Sequence, residues 1–190
     1  MANITTEPLR DKRQLQALFV YLKGQDTRNY AMAKVQLNTA LRLGDVVTLM
    51  YDDFFHYDGE FRRYVTLKEE KTKHERHIAI NKSLRTLLSS YVKEYNLGPG
   101  DYLFPSRKGL NKPISKTQAH RIYQEAGKVL HLEKFNSHSL RKTWGYWAYR
   151  ETHNIALIMQ VYGHTSAVQT LKYIGITQQD KDCLYNKIQF

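Results

Sequence analysis

Cysteine is almost missing from this chain: Cys183 is the only one in 190 residues. A lone thiol excludes a disulfide framework and a thiolate metal cluster. Long apolar runs are missing as well, and none approaches the ~20 residues of a membrane span. The opening MANITTEPLRDK lacks the basic-then-apolar pattern of a secretory leader, so a reducing cytoplasm is the expected location. There is no internal repeat and no low-complexity tract. Acidic residues are few beside basic ones, 18 against 29, which leaves a net charge of +11. Such an excess points to a polyanionic partner, because each lysine or arginine set on a phosphate releases condensed counterions. A merely soluble basic protein is the other reading of the charge. Hydrophobic residues make up 42%, which fits a folded globular domain and not a disordered chain.

The apolar spacing predicts a mainly helical chain with a small antiparallel sheet, an α+β arrangement. DKRQLQALFVYLKG repeats Leu15, Leu18, Phe19 and Leu22 on one helical face, with Gly24 as its end. TRNYAMAKVQLNTAL reads as a second helix and RLGDVVTLMYDDF as a shorter third. The period then changes to two. EFRRYVTLK sets Phe61, Val65 and Leu67 on one face, ERHIAI does the same with Ile78 and Ile80, and EEKTKH connects them as a hairpin. Helices return in NKSLRTLLSSYVKEYN, ISKTQAHRIYQEAGKVL, SHSLRKTWGYWAYRE, NIALIMQVYG, SAVQTLKYIG and TQQDKDCLYNKIQ. NLGPGDYLFPSRKGLNKPI is turn-rich, yet its Tyr-Leu-Phe is expected to pack, which makes it a loop and not a domain linker.

Four stretches carry residues suited to chemistry. In NSHSLRKTWGYW, Asn136 or Ser137 is the expected N-cap, with His138 and Arg141 three apart on one face of the helix. Histidine, arginine and a positive helix end together suit a phosphate. A lone pair of this kind is also common on ordinary helix surfaces. In VYGHTS, Gly163 ends one helix and Thr165 or Ser166 caps the next, which leaves His164 in a tight corner. Tyr173 follows about two turns down the new helix. In NTALRLGDVVTL, Arg42 precedes a short helix, with Asp45 placed to hold its guanidinium, although a plain surface ion pair has the same spacing. Lys71 lies in the hairpin connection, where most lysines merely solvate. Asp52 and Asp53 are adjacent and point apart, and the histidines lack ligand spacing, so no metal site is expected.

Taken in order, Arg42, Asp45, Lys71, His138, Arg141, His164 and Tyr173 resemble the catalytic signature of the tyrosine recombinases, the phage-integrase family. The resemblance runs from about Arg10 to residue 185. It implies the catalytic-domain fold of that family, acting without metal or cofactor. Ala40 departs from the family's preferred glycine, and Tyr162 replaces a frequent leucine before Gly-His; neither removes a reacting group. Many members carry a separate DNA-binding domain ahead of the catalytic one. Here the residues before Arg42 are taken up by two helices, so the expectation is one catalytic domain over 1–190. Residues 1–10 are expected to form a flexible arm. The Met-Ala start favours a short stand-alone recombinase over an excised domain.

The implied activity is site-specific recombination of double-stranded DNA through a 3′-phosphotyrosine, serving integration, excision or inversion. Tyr173 is the implied nucleophile, His138 the proton acceptor and Lys71 the general acid, with copies assembling on the DNA. A catalytically silent DNA-binding regulator and a topoisomerase-like nicking-closing enzyme are the alternatives. In SKTQAHRIYQEAGK, Ala119, Ile122, Tyr123 and Ala126 form the buried stripe. This turns Lys116, Thr117, His120, Arg121, Gln124 and Lys128 outward as candidate DNA contacts, or as a solvated helix face.

Overall fold

The computed structural model describes residues 6–68, 75–176 and 178–188. It begins with α1 (Lys12–Gln25), whose N-cap Asp11 accepts from the Arg13 amide at 2.8 Å. Gly24 does not end this helix but sits in its last turn. The stop is Asp26, which also caps α2 (Thr27–Thr39) by accepting from the Arg28 amide at 2.8 Å. A carboxylate at a helix N-terminus satisfies an otherwise orphaned N–H group and meets the positive end of the dipole. One residue thus sets the break between two helices.

Helix α2 is the spine. Ala31, Met32, Ala33, Val35 and Gln36 are all buried, so it is covered around its circumference rather than along one stripe. It packs against α1, α4 (Lys82–Glu94) and α6 (Ser139–Thr152). The third helix is shorter than its apolar pattern suggests. It covers only Leu43–Val47 (α3). Asp53 Oδ2 takes the Met50 amide at 2.7 Å and starts a separate 3-10 turn at Tyr51–Asp53.

Two antiparallel strands follow, β1 (Tyr64–Lys68) and β2 (Glu75–Ala79), with Val65 opposite Ile78 and Leu67 opposite Arg76. Val65 is fully buried. The connection between the strands, including Lys71, lies outside the described residues. The turn-rich stretch after α4 is a packed loop, since Leu103 and Phe104 are fully buried and Met50 bridges Tyr102.

Helices α5 (Lys116–Val129), α6, α7 (Ile155–Tyr162), α8 (Ala167–Ile174) and α9 (Gln178–Lys187) complete the order. The main core joins α1 to α5 and the sheet. A second, smaller cluster of Ala40, Ile158, Tyr162 and Ile174 seats α7 and α8 on α6. Among the described residues no helix is long and apolar enough to cross a membrane. The expected arm is not free where it is described: Pro8 and Leu9 are buried against the fold.

Candidate active site

The site is built where the two clusters meet. At its centre is Arg141, only 2% exposed although charged. A buried guanidinium needs partners, because desolvation without them is costly. Arg141 has three. Its Nη1 donates to the Ala40 carbonyl, its guanidinium lies 4.5 Å from the centroid of the Tyr162 ring, and Tyr173 is within electrostatic reach. The Tyr162 hydroxyl donates to the backbone carbonyl of Arg141 itself at 2.6 Å, which holds the ring in place. Burial pulls the Arg141 pKa below its usual value and Tyr173 opposes the shift, while Arg42 and Arg76 push the same way as burial. Guanidinium groups stay charged in proteins even so.

His138 is the N-cap of α6, not Asn136 or Ser137. Asn136 instead organises the turn ahead of the helix. Its Oδ1 accepts from the His138 amide at 2.8 Å, and its amide donates to Ser139 Oγ at 3.1 Å. Burial lowers the His138 pKa, and Arg141, Lys142, Lys116 and His120 add repulsion. That set of neighbours places the start of α5 beside the site. Along α5, Lys116, Thr117, Arg121, Gln124 and Lys128 are exposed and His120 is half-buried, whereas Ala119, Tyr123 and Ala126 are buried.

Gly163 ends α7 in the left-handed region, and Ser166 caps α8 by accepting from the Gln169 amide at 3.3 Å. His164 lies in the corner between them. Its Nδ1 is 3.0 Å from Thr170 Oγ1, which in turn sits 2.9 Å from the Ser166 carbonyl. A helical threonine commonly gives its proton to the carbonyl four residues back. The Nδ1–H of His164 therefore donates to Thr170, and Nε2 takes no part in that contact. Burial, Arg141 and Arg42 lower the His164 pKa. Tyr173 stands on α8 with its ring perpendicular to that of His164, centroids 5.3 Å apart, and edge-on to Tyr162 at the same separation. Lys142 Nζ lies 5.1 Å from the Tyr173 ring centroid.

Arg42 is the N-cap of α3, exposed, and within electrostatic reach of both Arg141 and His164. Asp45 does not grip its side chain. The carboxylate accepts from the backbone N–H of Arg42 at 3.3 Å, which fixes where the arginine leaves the helix. The structure thus brings Arg42, His138, Arg141, His164 and Tyr173 together. Sequence reasoning missed Gln36, whose Nε2 donates to the carbonyls of Leu41 (3.3 Å) and Ser137 (3.0 Å) and so ties the two arginine segments. It also missed Lys142, though that residue directly follows Arg141. Tyr162 was noticed only as a departure, and it forms the floor under Arg141.

A profile of the phage integrase family matches residues 10–180. The chain belongs to the phage integrase family. Among curated relatives of this integrase-family protein is the probable integrase/recombinase YoeC of Bacillus subtilis (strain 168), 34% identical over 179 residues and covered to 94% on both sides. The tyrosine recombinase of Pseudothermotoga lettingae is 23% identical over 165 residues, which span 86% of this chain but 55% of that one. The chain therefore matches one relative nearly end to end and about half of another. Solved structures agree on the fold. The XerA recombinase superposes with a TM-score of 0.76 at 21% identity, covering 97% of this chain and 67% of that one. The XerH recombinase, bound to a palindromic difH substrate after cleavage, gives 0.73 at 19%, covering 95% and 52%. The tyrosine recombinase catalytic fold is thereby established for this chain.

Proposed function

We propose that this integrase-family protein is a site-specific recombinase that cuts and rejoins double-stranded DNA through a covalent link to Tyr173. The supporting observation is the convergence of a half-buried tyrosine with Arg141, Arg42 and His164 at one seam of the fold. Attack of the phenol oxygen on a phosphodiester builds negative charge on the nonbridging oxygens. Arg141 and Arg42 stabilise that charge, a task in which one lost donor typically costs about 3–4 kcal/mol of barrier. As the new Tyr–O–P bond forms, the bond to the 5′-oxygen breaks. The phenol proton passes to His138, kept neutral by burial and then by its cationic neighbours, and the departing oxygen takes a proton from Lys71. The 3′-phosphotyrosine keeps the bond energy, so a second 5′-hydroxyl can reverse the step on another strand.

Double-stranded DNA carrying recombination sites is the proposed substrate, read in part by the outward face of α5. Copies of the chain are proposed to assemble on it in the cytoplasm, with integration, excision or inversion as the outcome. The test is a nicked substrate that loses its 5′-hydroxyl fragment after cleavage and so traps the adduct. The wild-type chain should accumulate a protein–DNA adduct and Tyr173→Phe none, with DNA affinity preserved because it is mainly ionic. Absence of adduct from the wild type supports a silent DNA-binding regulator instead. Adduct with relaxation but no exchange between two sites supports a nicking-closing enzyme.

A further inference from the structure

The segment ahead of α1 is bound along α6 and the turn ahead of it by a row of hydrogen bonds. Asn136 Nδ2 donates to Thr6 Oγ1 at 2.9 Å, and Lys142 Nζ donates to the Thr6 carbonyl at 2.6 Å. The Leu9 amide donates to Thr143 Oγ1 at 2.8 Å, and Trp147 Nε1 donates to the Leu9 carbonyl at 3.1 Å. The segment then reaches the far end of the tyrosine helix. Arg10 Nη2 donates to the carbonyl of Gly175 at 2.6 Å, and Glu7 steadies the same guanidinium nitrogen at 3.2 Å.

Gly175 is the C-cap of α8, two residues beyond Tyr173, and lies in the left-handed region at φ 79°. A Cβ there would stand 2.9 Å from Pro8 Cδ and 3.0 Å from Arg10 Nη2, so the segment fits against the glycine with no room to spare. Lys142, anchored on Thr6, is the same lysine that sits over the Tyr173 ring. Helix α8 spans Ala167–Ile174, fully buries only Thr170 and Ile174, and is otherwise held by its packing on α6 and α7. Helices this short do not persist without tertiary anchors.

We propose that Arg10 is a positioning residue for Tyr173, pinning the C-terminal end of α8 so that the phenol meets the arginines in attacking geometry. This rests on the reading of Tyr173 as nucleophile. A misplacement of about 1 Å at a reacting centre can cost about a hundredfold in rate. Arg10 itself stays clear of the substrate in this role; it acts through the helix cap.

The experiment compares Arg10→Met, Arg10→Lys and Glu7→Gln in the full chain. Methionine keeps the apolar stem and loses every donor. At saturating substrate, Arg10→Met should form adduct at least about tenfold more slowly. Its DNA affinity should stay within about twofold, because affinity is mainly ionic and Arg10 makes no phosphate contact in this role. Hydrogen exchange should speed up at the amides of Gly175 and Ile176, which close α8 on Lys172 and Leu171. Arg10→Lys should recover part of both effects, and Glu7→Gln, which keeps an acceptor oxygen for Arg10 and leaves the Gly175 contact in place, should behave as wild type. Equal cleavage rates for Arg10→Met and wild type at saturating DNA would overturn the proposal, as would slower cleavage with unchanged exchange. Loss of affinity alone would make Arg10 a DNA contact instead. Should Arg10→Met not fold, Arg10→Lys against wild type decides on the same two readouts. A wild-type chain that forms no adduct defeats the nucleophile reading, and the exchange rates alone then decide whether Arg10 pins the helix.

Discussion

The guanidinium of Arg141 is tied to the carbonyl of Ala40, and Ala40 lies in the left-handed region at φ 56°, at the C-cap of α2. The backbone has to turn that way to present its carbonyl to the arginine. For an L-residue the left-handed conformation costs about 1–2 kcal/mol. Glycine removes that cost but also removes a fully buried methyl, worth about 0.8 kcal/mol, and gains entropy in the unfolded chain. The terms nearly cancel. Ala40→Gly should therefore change unfolding free energy by less than about 1 kcal/mol in urea titrations. Ala40→Val meets a branched Cβ and a full pocket at once, and should lose about 3 kcal/mol or more together with adduct formation.

Gly145, in the middle of α6, is required for a different reason: nearness. A Cβ there would collide with the Tyr162 hydroxyl and stand 2.6 Å from Ile174 Cγ2. Alanine favours helix over glycine by about 1 kcal/mol, but forced overpacking costs about 1–3 kcal/mol. The collision wins because the displaced hydroxyl also abandons the Arg141 carbonyl. Gly145→Ala should lower the urea midpoint at unchanged slope and slow cleavage, since the ring under Arg141 moves.

What could be read from the sequence divides along the range of the interactions. His138 and Arg141 lie within one turn of a helix, and His164 and Tyr173 across a single corner, so spacing pairs them, and their order along the chain, in its resemblance to the family signature, singles them out. Where a partner lies far away in the chain, spacing is silent. Arg10 meets Gly175 across 165 positions, and Gln36 meets Ser137 across 101. Periodicity found the helices but misjudged their ends where a side chain intervenes. Asp26 moved the end of α1 past Gly24, and Asp53 cut α3 short by opening a new turn. The hold on residues 6–10, expected within an arm, was silent for the same reason. Its anchors, on α6 and in the turn ahead of it, are side chains more than a hundred residues on.

His164 should make DNA binding proton-coupled. Burial and neighbouring cations lower both His138 and His164 from 6.5, so the free protein holds both neutral above that value. A phosphate set among the arginines reverses the repulsion on His164 and raises its value, whereas His138, as acceptor of the phenol proton, has to stay neutral. With Nδ1–H committed to Thr170, His164 can donate to a phosphate oxygen only when Nε2 is also protonated. Binding titrations around pH ~6 in buffers of different ionisation heat should show net proton uptake, reduced in His164→Gln. The sign for stability of the free protein is opposite. A depressed folded value means the unfolded state binds protons first, so the stability present above about 6.5 is lost as pH falls from there through the folded values. Release of protons on DNA binding would contradict this assignment.

Lys71 lies outside the described residues, and its role as general acid rests on the family resemblance, with Lys68 and Lys73 close in sequence. Chemistry can still isolate it. The 5′-oxygen is a poor leaving group and must gain a proton as its bond to phosphorus breaks. Sulfur at that bridging position departs as a thiolate without help, since thiols have pKa values near ~8.5. Lys71→Ala should therefore cleave ordinary DNA very slowly and cleave a 5′-bridging thio substrate at close to the wild-type rate. Arg141→Ala should remain slow on both, because its task is charge on the nonbridging oxygens. Equal impairment of Lys71→Ala on the two substrates would make the lysine a DNA contact. Rescue confined to Lys73→Ala would move the acid two residues along the hairpin.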